Sequence, residues 1–268
     1  MPERTLPSKP SKHQPRKKIH MKNAKTKFSP CLLLAMLLAL SCYDVARATT
    51  TISSGHVDIF EAEYITEDED TGVPLTTPQL HLGVHTDSGH YEPADVLLEV
   101  GNAAYRSTDG LQGDIQTFLG LNAWILPVDL EEAGDLDVLE AGVAKAGFPN
   151  LNPVTFTMVS AGAANPGKFV LFSGASSNFT RLQANGGLLE VNSFSITAGH
   201  IHYNWGFSAP GTYTFDLKAS YTDANFGVLE SATETYTFNV IPEPSSSTLL
   251  LIGLVGWVAT RKRIISKG

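Results

Sequence analysis

From residue 49 to residue 241 the chain contains no cysteine; its two, Cys31 and Cys42, both fall earlier. No disulfide can staple this span and no thiol can act in it, so it stands on its hydrophobic core. Basic residues are nearly as scarce. Arg106, Lys145, Lys168, Arg181 and Lys218 face 24 Asp and Glu in the same span, a formal charge of −19 that the whole-chain value of −8 conceals. So acidic a surface repels nucleic acid and anionic lipid, and leaves divalent cations or basic partners as companions. Enzyme motifs are also missing. There is no Gly-x-Ser-x-Gly elbow and no His-Glu-x-x-His. Gly162 to Lys168 has Walker-A spacing, but Phe169 stands where a Ser or Thr must bind Mg²⁺. Carboxylates are too abundant to single out a glycosidase pair. The reading is therefore of a protein that is not an enzyme. No Pro/Ser linker divides residues 49–241 and no repeat of fixed period runs through them, so one domain is expected.

Both ends look like export signals. Met21 to Lys27 is basic, Cys31 to Leu40 is apolar, and Ala46-Arg47-Ala48 is a small-x-small cleavage site. That pattern predicts a signal helix within residues 1–48, with mature protein starting near Thr49. Residues 1–20 are either an extended basic n-region or lie ahead of a true start at Met21. Ala39-Leu40-Ser41-Cys42 loosely resembles a lipobox but has Ala39 in place of the usual Leu three residues before the Cys. Residues 242–268 hold Pro242-Glu243-Pro244, a Ser/Thr spacer, an apolar helix over about 248–260, and the basic end Arg261-Lys262-Arg263. The helix falls short of the roughly 20 residues of a full span and is extended by flanking Ser and snorkelling cations. Its basic end keeps to the cytoplasm, which places the bulk of the chain outside. Tripeptide, helix and basic end in this order resemble the PEP-CTERM sorting signal of Gram-negative bacteria. The resemblance implies an exosortase-type membrane protease as partner. It also implies a protein anchored in the inner membrane before sorting and bound for the cell envelope or surface, among envelope or matrix components. An ordinary tail anchor is the alternative.

The body reads as strands. Tyr213, Phe215, Leu217 and Ala219 alternate with Thr214, Asp216, Lys218 and Ser220, and period two over this length marks a strand with one buried face. Pro210-Gly211 ahead of it is turn chemistry, and Tyr236, Phe238 and Val240 repeat the alternation. Further strands are predicted at Val57–Tyr64, Gln79–His85, Asp95–Val100, Thr155–Val159, Lys168–Ser173, Leu188–Val191 and His200–Phe207. Pro127–Ala146, with Leu130, Leu136, Leu139 and Val143 on a rough stripe, predicts a short helix or two. Together these predict an all-β fold, an antiparallel β-sandwich of immunoglobulin-like or jelly-roll-like type.

The densest motif is Gly199-His200-Ile201-His202-Tyr203-Asn204-Trp205, followed by Pro210-Gly211-Thr212-Tyr213. It resembles the His-x-His-x-x-Trp and Pro-Gly-x-Tyr signature of the choice-of-anchor M family of surface-anchored domains. Gly55-His56-Val57-Asp58 resembles that family's opening, and Gln79–His85 and Pro93–Leu98 its next two strands. The resemblance spans roughly residues 55–220 and implies architecture and location more than chemistry.

The residues themselves add a chemical expectation. Positions i and i+2 of a strand share a face, about 6.5–7 Å apart. His200 and His202 therefore point together, as do His56 and Asp58, and His81 and His85. Imidazole and carboxylate suit Zn²⁺ or Mn²⁺. The expected site is His56, Asp58, His200 and His202, with His81 and His85 as a further pair. Ile201, Tyr203, Trp205 and Phe207 take the opposite face, toward the core; a sugar-stacking Trp205 is the competing reading. The acidic run Glu67 to Asp70 lacks EF-hand spacing and reads as a solvated hairpin loop. Three functions remain open: a non-catalytic anchored protein with a divalent-metal site, a purely structural or adhesive surface protein, and a metal-dependent hydrolase.

Overall fold

The computed structural model describes residues 49–68, 70–111, 113–174 and 180–242. The expected signal helix, the C-terminal helix, and Glu243, Pro244, Arg261, Lys262 and Arg263 of the sorting tail lie outside the described residues, whereas Pro242 is described and exposed. No helix among the described residues is long and apolar enough to cross a membrane.

The fold is all-β. In chain order the strands are β1 (Thr50–Ile52), β2 (Gly55–Glu67), β3 (Pro74–Thr86), β4 (Gly89–Tyr91), β5 (Val96–Val100), β6 (Tyr105–Ser107), β7 (Asn122–Leu126), β8 (Leu139–Ala146) and β9 (Val154–Ala161). Then come β10 (Lys168–Phe172), β11 (Thr180–Asn185), β12 (Leu188–Val191), β13 (Ser193–Ile196), β14 (His200–His202), β15 (Asn204–Phe207), β16 (Gly211–Asp223), β17 (Gly227–Glu230) and β18 (Glu234–Val240). Two one-to-two-turn helices, α1 (Gly113–Leu119) and α2 (Leu130–Leu136), interrupt them. One sheet runs β1-β5-β18-β16-β9-β13, with β17 also on β16; a second runs β12-β11-β10-β15-β7-β6; a third runs β14-β8-β2-β3-β4.

The expectation of purely antiparallel pairing is corrected. β1 and β5, β5 and β18, and β2 and β8 pair in parallel. Short sequence-adjacent hairpins give antiparallel pairs, but β2 and β8 are joined only after five intervening strands, and so long a connection allows a parallel return.

The alternation seen from residue 212 is borne out: Tyr213, Phe215, Leu217 and Ala219 are all fully buried. The three sheets share one core. Phe60 on β2 lies 4.9 Å from Tyr236 and 6.3 Å from Phe156 of the first sheet, and 4.9 Å from Trp205 of the second. Outside the second sheet, Ile115 and Leu119 of α1 cover Val170, Phe172 and Ile125. The Pro-Gly-x-Tyr segment has a structural task. The Tyr213 hydroxyl donates to the Ala209 carbonyl at 2.9 Å and accepts from the Ala209 amide at 3.2 Å, which ties the turn to its own strand. Gly211 at φ 125° supplies the conformation that the turn needs.

Two expectations about elements also change. Pro127–Ala146 is helical only from Leu130 to Leu136; Asp129 caps it by accepting from the amides of Glu131 and Glu132, and Asp137 ends it in the left-handed region at φ 51°. Leu139 and Val143, read as part of a helical stripe, instead point inward with Ala141 on the strand β8. The expected strand His200–Phe207 breaks at Tyr203, whose buried ring meets Phe194 edge-on at 5.7 Å. β14 then belongs to the third sheet and β15 to the second.

Candidate metal centre

The outward face of the third sheet carries all six histidines of residues 49–241. On β2 the inward residues Val57, Ile59, Phe60 and Ala62 are fully buried in the core. The pairing register shifts between Asp58 and Phe60. This bulge inserts an extra residue, so His56 and Asp58 before it and Glu61 and Glu63 after it stay on one face. Register then sets the rows. His202 lies beside Gly142, Gly142 beside Asp58, Asp58 beside His85, and His85 beside His90. Glu61 lies beside Gly83 and Glu63 beside His81.

Of the expected site, the structure brings together His56, His200 and His202. One ligand atom from each falls within 4.8 Å of the other two. The ring centroids are 5.1 Å apart for His56 and His200, and 4.5 Å for His200 and His202. The Nε2 atoms of His200 and His202 approach to 2.6 Å. Asp58 stands behind this group: its Oδ1 is 2.8 Å from His200 Nδ1. β8 separates β14 from β2, and the two meet over Gly142, where an added Cβ would fall 2.3 Å from Asp58 Oδ1 and 2.9 Å from His200 Cε1. Asp87, in the turn between β3 and β4, sits 3.9 Å from His56 Nδ1.

Electrostatics favour an uncharged imidazole at His202. Burial, then repulsion from His200 and His56, pushes His202 down to about 4, so it is neutral at pH 7. Burial raises Asp58 above the usual carboxylate range, opposed by His200. A surface cleft of about 370 Å³, lined by His56, Thr50, Thr86, Asp87, Ser88 and Tyr91, opens on one side of His56.

His81 and His85 do not act as a pair. His81 faces Glu63 and His90, whereas His85 is half exposed with Nδ1 3.7 Å from Glu61 Oε1. The Glu63 carboxylate, 3.7 Å from Nδ1, raises His81 to about 9, opposed by burial. Glu61 raises His90, and His81 holds Glu63 below the usual carboxylate range. Sequence reasoning missed Gly142, Glu61, Glu63, His90 and Glu92. The alternation of Glu61 and Glu63 was visible, but its phase relative to Asp58 depends on the bulge. Trp205 is fully buried and its Nε1 donates to the Ala141 carbonyl at 3.4 Å, which removes the sugar-stacking reading. Asp68 accepts from the amide and hydroxyl of Thr71, the local bonding of a turn.

In comparisons with known proteins, no family model, no curated protein and no solved structure matches the chain.

Proposed function

We propose that the chain is an exported, envelope-anchored protein that binds a divalent cation, Zn²⁺ or Mn²⁺, through His56, His200 and His202, without catalysis. The convergence of three imidazoles within 4.8 Å carries this reading. Metal-bound histidines characteristically donate their second ring N–H to a carboxylate, which fixes the tautomer and orients the ring. Asp58 at 2.8 Å from His200 Nδ1 fits that supporting role, leaving Nε2 for the ion. Asp58 then acts behind the ligand shell instead of within it, and water or the partner completes the coordination. The neutral state of His202 removes the proton that would otherwise compete.

The fold in this reading is a sandwich of the choice-of-anchor M type. The first sheet is one layer, the second and third sheets form the other, and the histidine face is turned to the outside. The tail from Pro242 is a PEP-CTERM signal read by an exosortase-type protease, and the charge of −19 over residues 49–241 suits a cation-rich envelope and basic surface partners. Calorimetry with Zn²⁺ and Mn²⁺ at neutral pH tests the site. The wild type should bind, and a His200→Ala/His202→Ala variant should lose at least a tenfold in affinity for that site. Absence of binding by the wild type, or equal binding by the variant, would leave a structural or adhesive surface protein.

A further inference from the structure

A second constellation occupies the same sheet face, built from different residues. Glu61 and Glu63 come from β2, His81 from β3 and His90 from β4. Ligand atoms of Glu63, His81 and His90 all lie within 4.8 Å of one another. His90 Nδ1 is 3.4 Å from Glu61 Oε2 and 3.5 Å from Glu63 Oε1, and His81 Nδ1 is 3.7 Å from Glu63 Oε2.

These distances are informative. A charge-assisted hydrogen bond closes to about 2.7–2.9 Å, and the contacts of this constellation are all longer. Two ligand atoms sharing an ion through bonds of about 2.0–2.2 Å are instead separated by about 3.0–3.5 Å, depending on coordination geometry. The second constellation has spacings close to those of a coordination sphere. Two of its buried atoms, Glu61 Oε2 and His81 Nδ1, have no hydrogen-bond partner. Glu61 is only 5% exposed, and a carboxylate taken out of water is costly unless a cation meets it, whether a protonated His90 at 3.4 Å or a metal ion.

The backbone is shaped for the same purpose. His90 lies over Gly83, where an added Cβ would fall 2.1 Å from its Cε1. Any other residue there would lift the ring off the sheet and away from both glutamates. On the far side of His81, Nε2 meets Glu92 Oε2 at 3.3 Å. That contact orients the ring so that Nδ1 faces Glu63, so Glu92 is a positioning residue.

We propose that Glu61, Glu63, His81 and His90 form a second divalent-cation site, separate from that of His56, His200 and His202. Its two imidazoles and two carboxylates are harder donors than three imidazoles, so relative to the first site it favours Mn²⁺ over Zn²⁺.

Titration of the full-length protein with Mn²⁺, followed by the electron paramagnetic resonance of the free ion, tests this. Wild type should take up two equivalents. A Glu63→Gln/His90→Asn variant should lose one, with at least a tenfold weaker second site, and keep the one that His200→Ala/His202→Ala removes. A stoichiometry unchanged by Glu63→Gln/His90→Asn would overturn the proposal. So would a wild type that binds one equivalent, lost on replacing His200 and His202; the first site would then stand alone. One equivalent lost only in Glu63→Gln/His90→Asn would keep the second site and reject the first. The wild-type count does not depend on whether any variant folds. For the variants, an unfolding temperature in chelator matching wild type shows that the loss is local.

Discussion

Gly142 is the residue on which the three-histidine group depends most, because it has no side chain. It lies on β8 between His202 and Asp58, and the space above it is filled by Asp58 and the His200 ring. Gly142→Ala would push Asp58 and His200 apart, and calorimetry should show Zn²⁺ affinity reduced at least tenfold. His81 provides a test by pH in metal-free protein. Its folded value of about 9 is above its ordinary 6.5, and Glu63 is held below its ordinary 4.5. Their stabilisation is therefore full between those ordinary values. It fades as pH rises from 6.5 through 9 and the imidazole loses its proton, and again as pH falls below 4.5 and Glu63 gains one. With chelator present, the stability difference between wild type and His81→Gln should be largest near pH 5–6.5 and shrink by pH 9–10; a constant difference would exclude the ion pair. The same-face pairs at His56 and Asp58, His200 and His202 were legible because a strand repeats every two residues. Gly142, Glu61 and His90 were not, because they join the site through strand order, a bulge and a hairpin.

Among elements, β16 shows alternation at its clearest. Phe215 is fully buried, with its ring 4.4 Å from Phe169 and 5.9 Å from Phe238. Phe215→Ala should cost about 3–5 kcal/mol, measured by denaturant unfolding, while Thr214→Ala on the other face should cost little; equal losses would contradict the faces. At α2 the Asp129 carboxylate accepts two amides at 3.0 and 3.1 Å, so Asp129→Ala should cost about 1 kcal/mol. β16 and β18, each with one wet face, were read correctly, whereas β11 and β13 alternate as well and were not assigned. β8 was misread, since Leu139, Ala141, Val143 and Ala144 are nearly all buried, and a short apolar run does not tell helix from strand by period alone. Parallel pairing of β2 with β8 was likewise invisible, because it depends on residues far apart in the chain.

At the scale of the whole molecule, the chain has a cysteine-free, strongly acidic β body between two terminal segments for which we propose roles in export and sorting. Mass spectrometry of the exported protein should find an N-terminus near Thr49 and no residues beyond Ser245; a mature species still carrying Arg261 to Arg263 would mean simple membrane anchoring. The body presents its six histidines on one outward sheet face, three of them converging at His56, His200 and His202. X-ray absorption at the zinc edge, on full-length protein loaded with one equivalent of Zn²⁺, tests this convergence most directly. The account predicts three imidazole nitrogens at about 2.0–2.1 Å, reduced in number on replacing His200 and His202. A shell without imidazole, or one unchanged by those replacements, would contradict it.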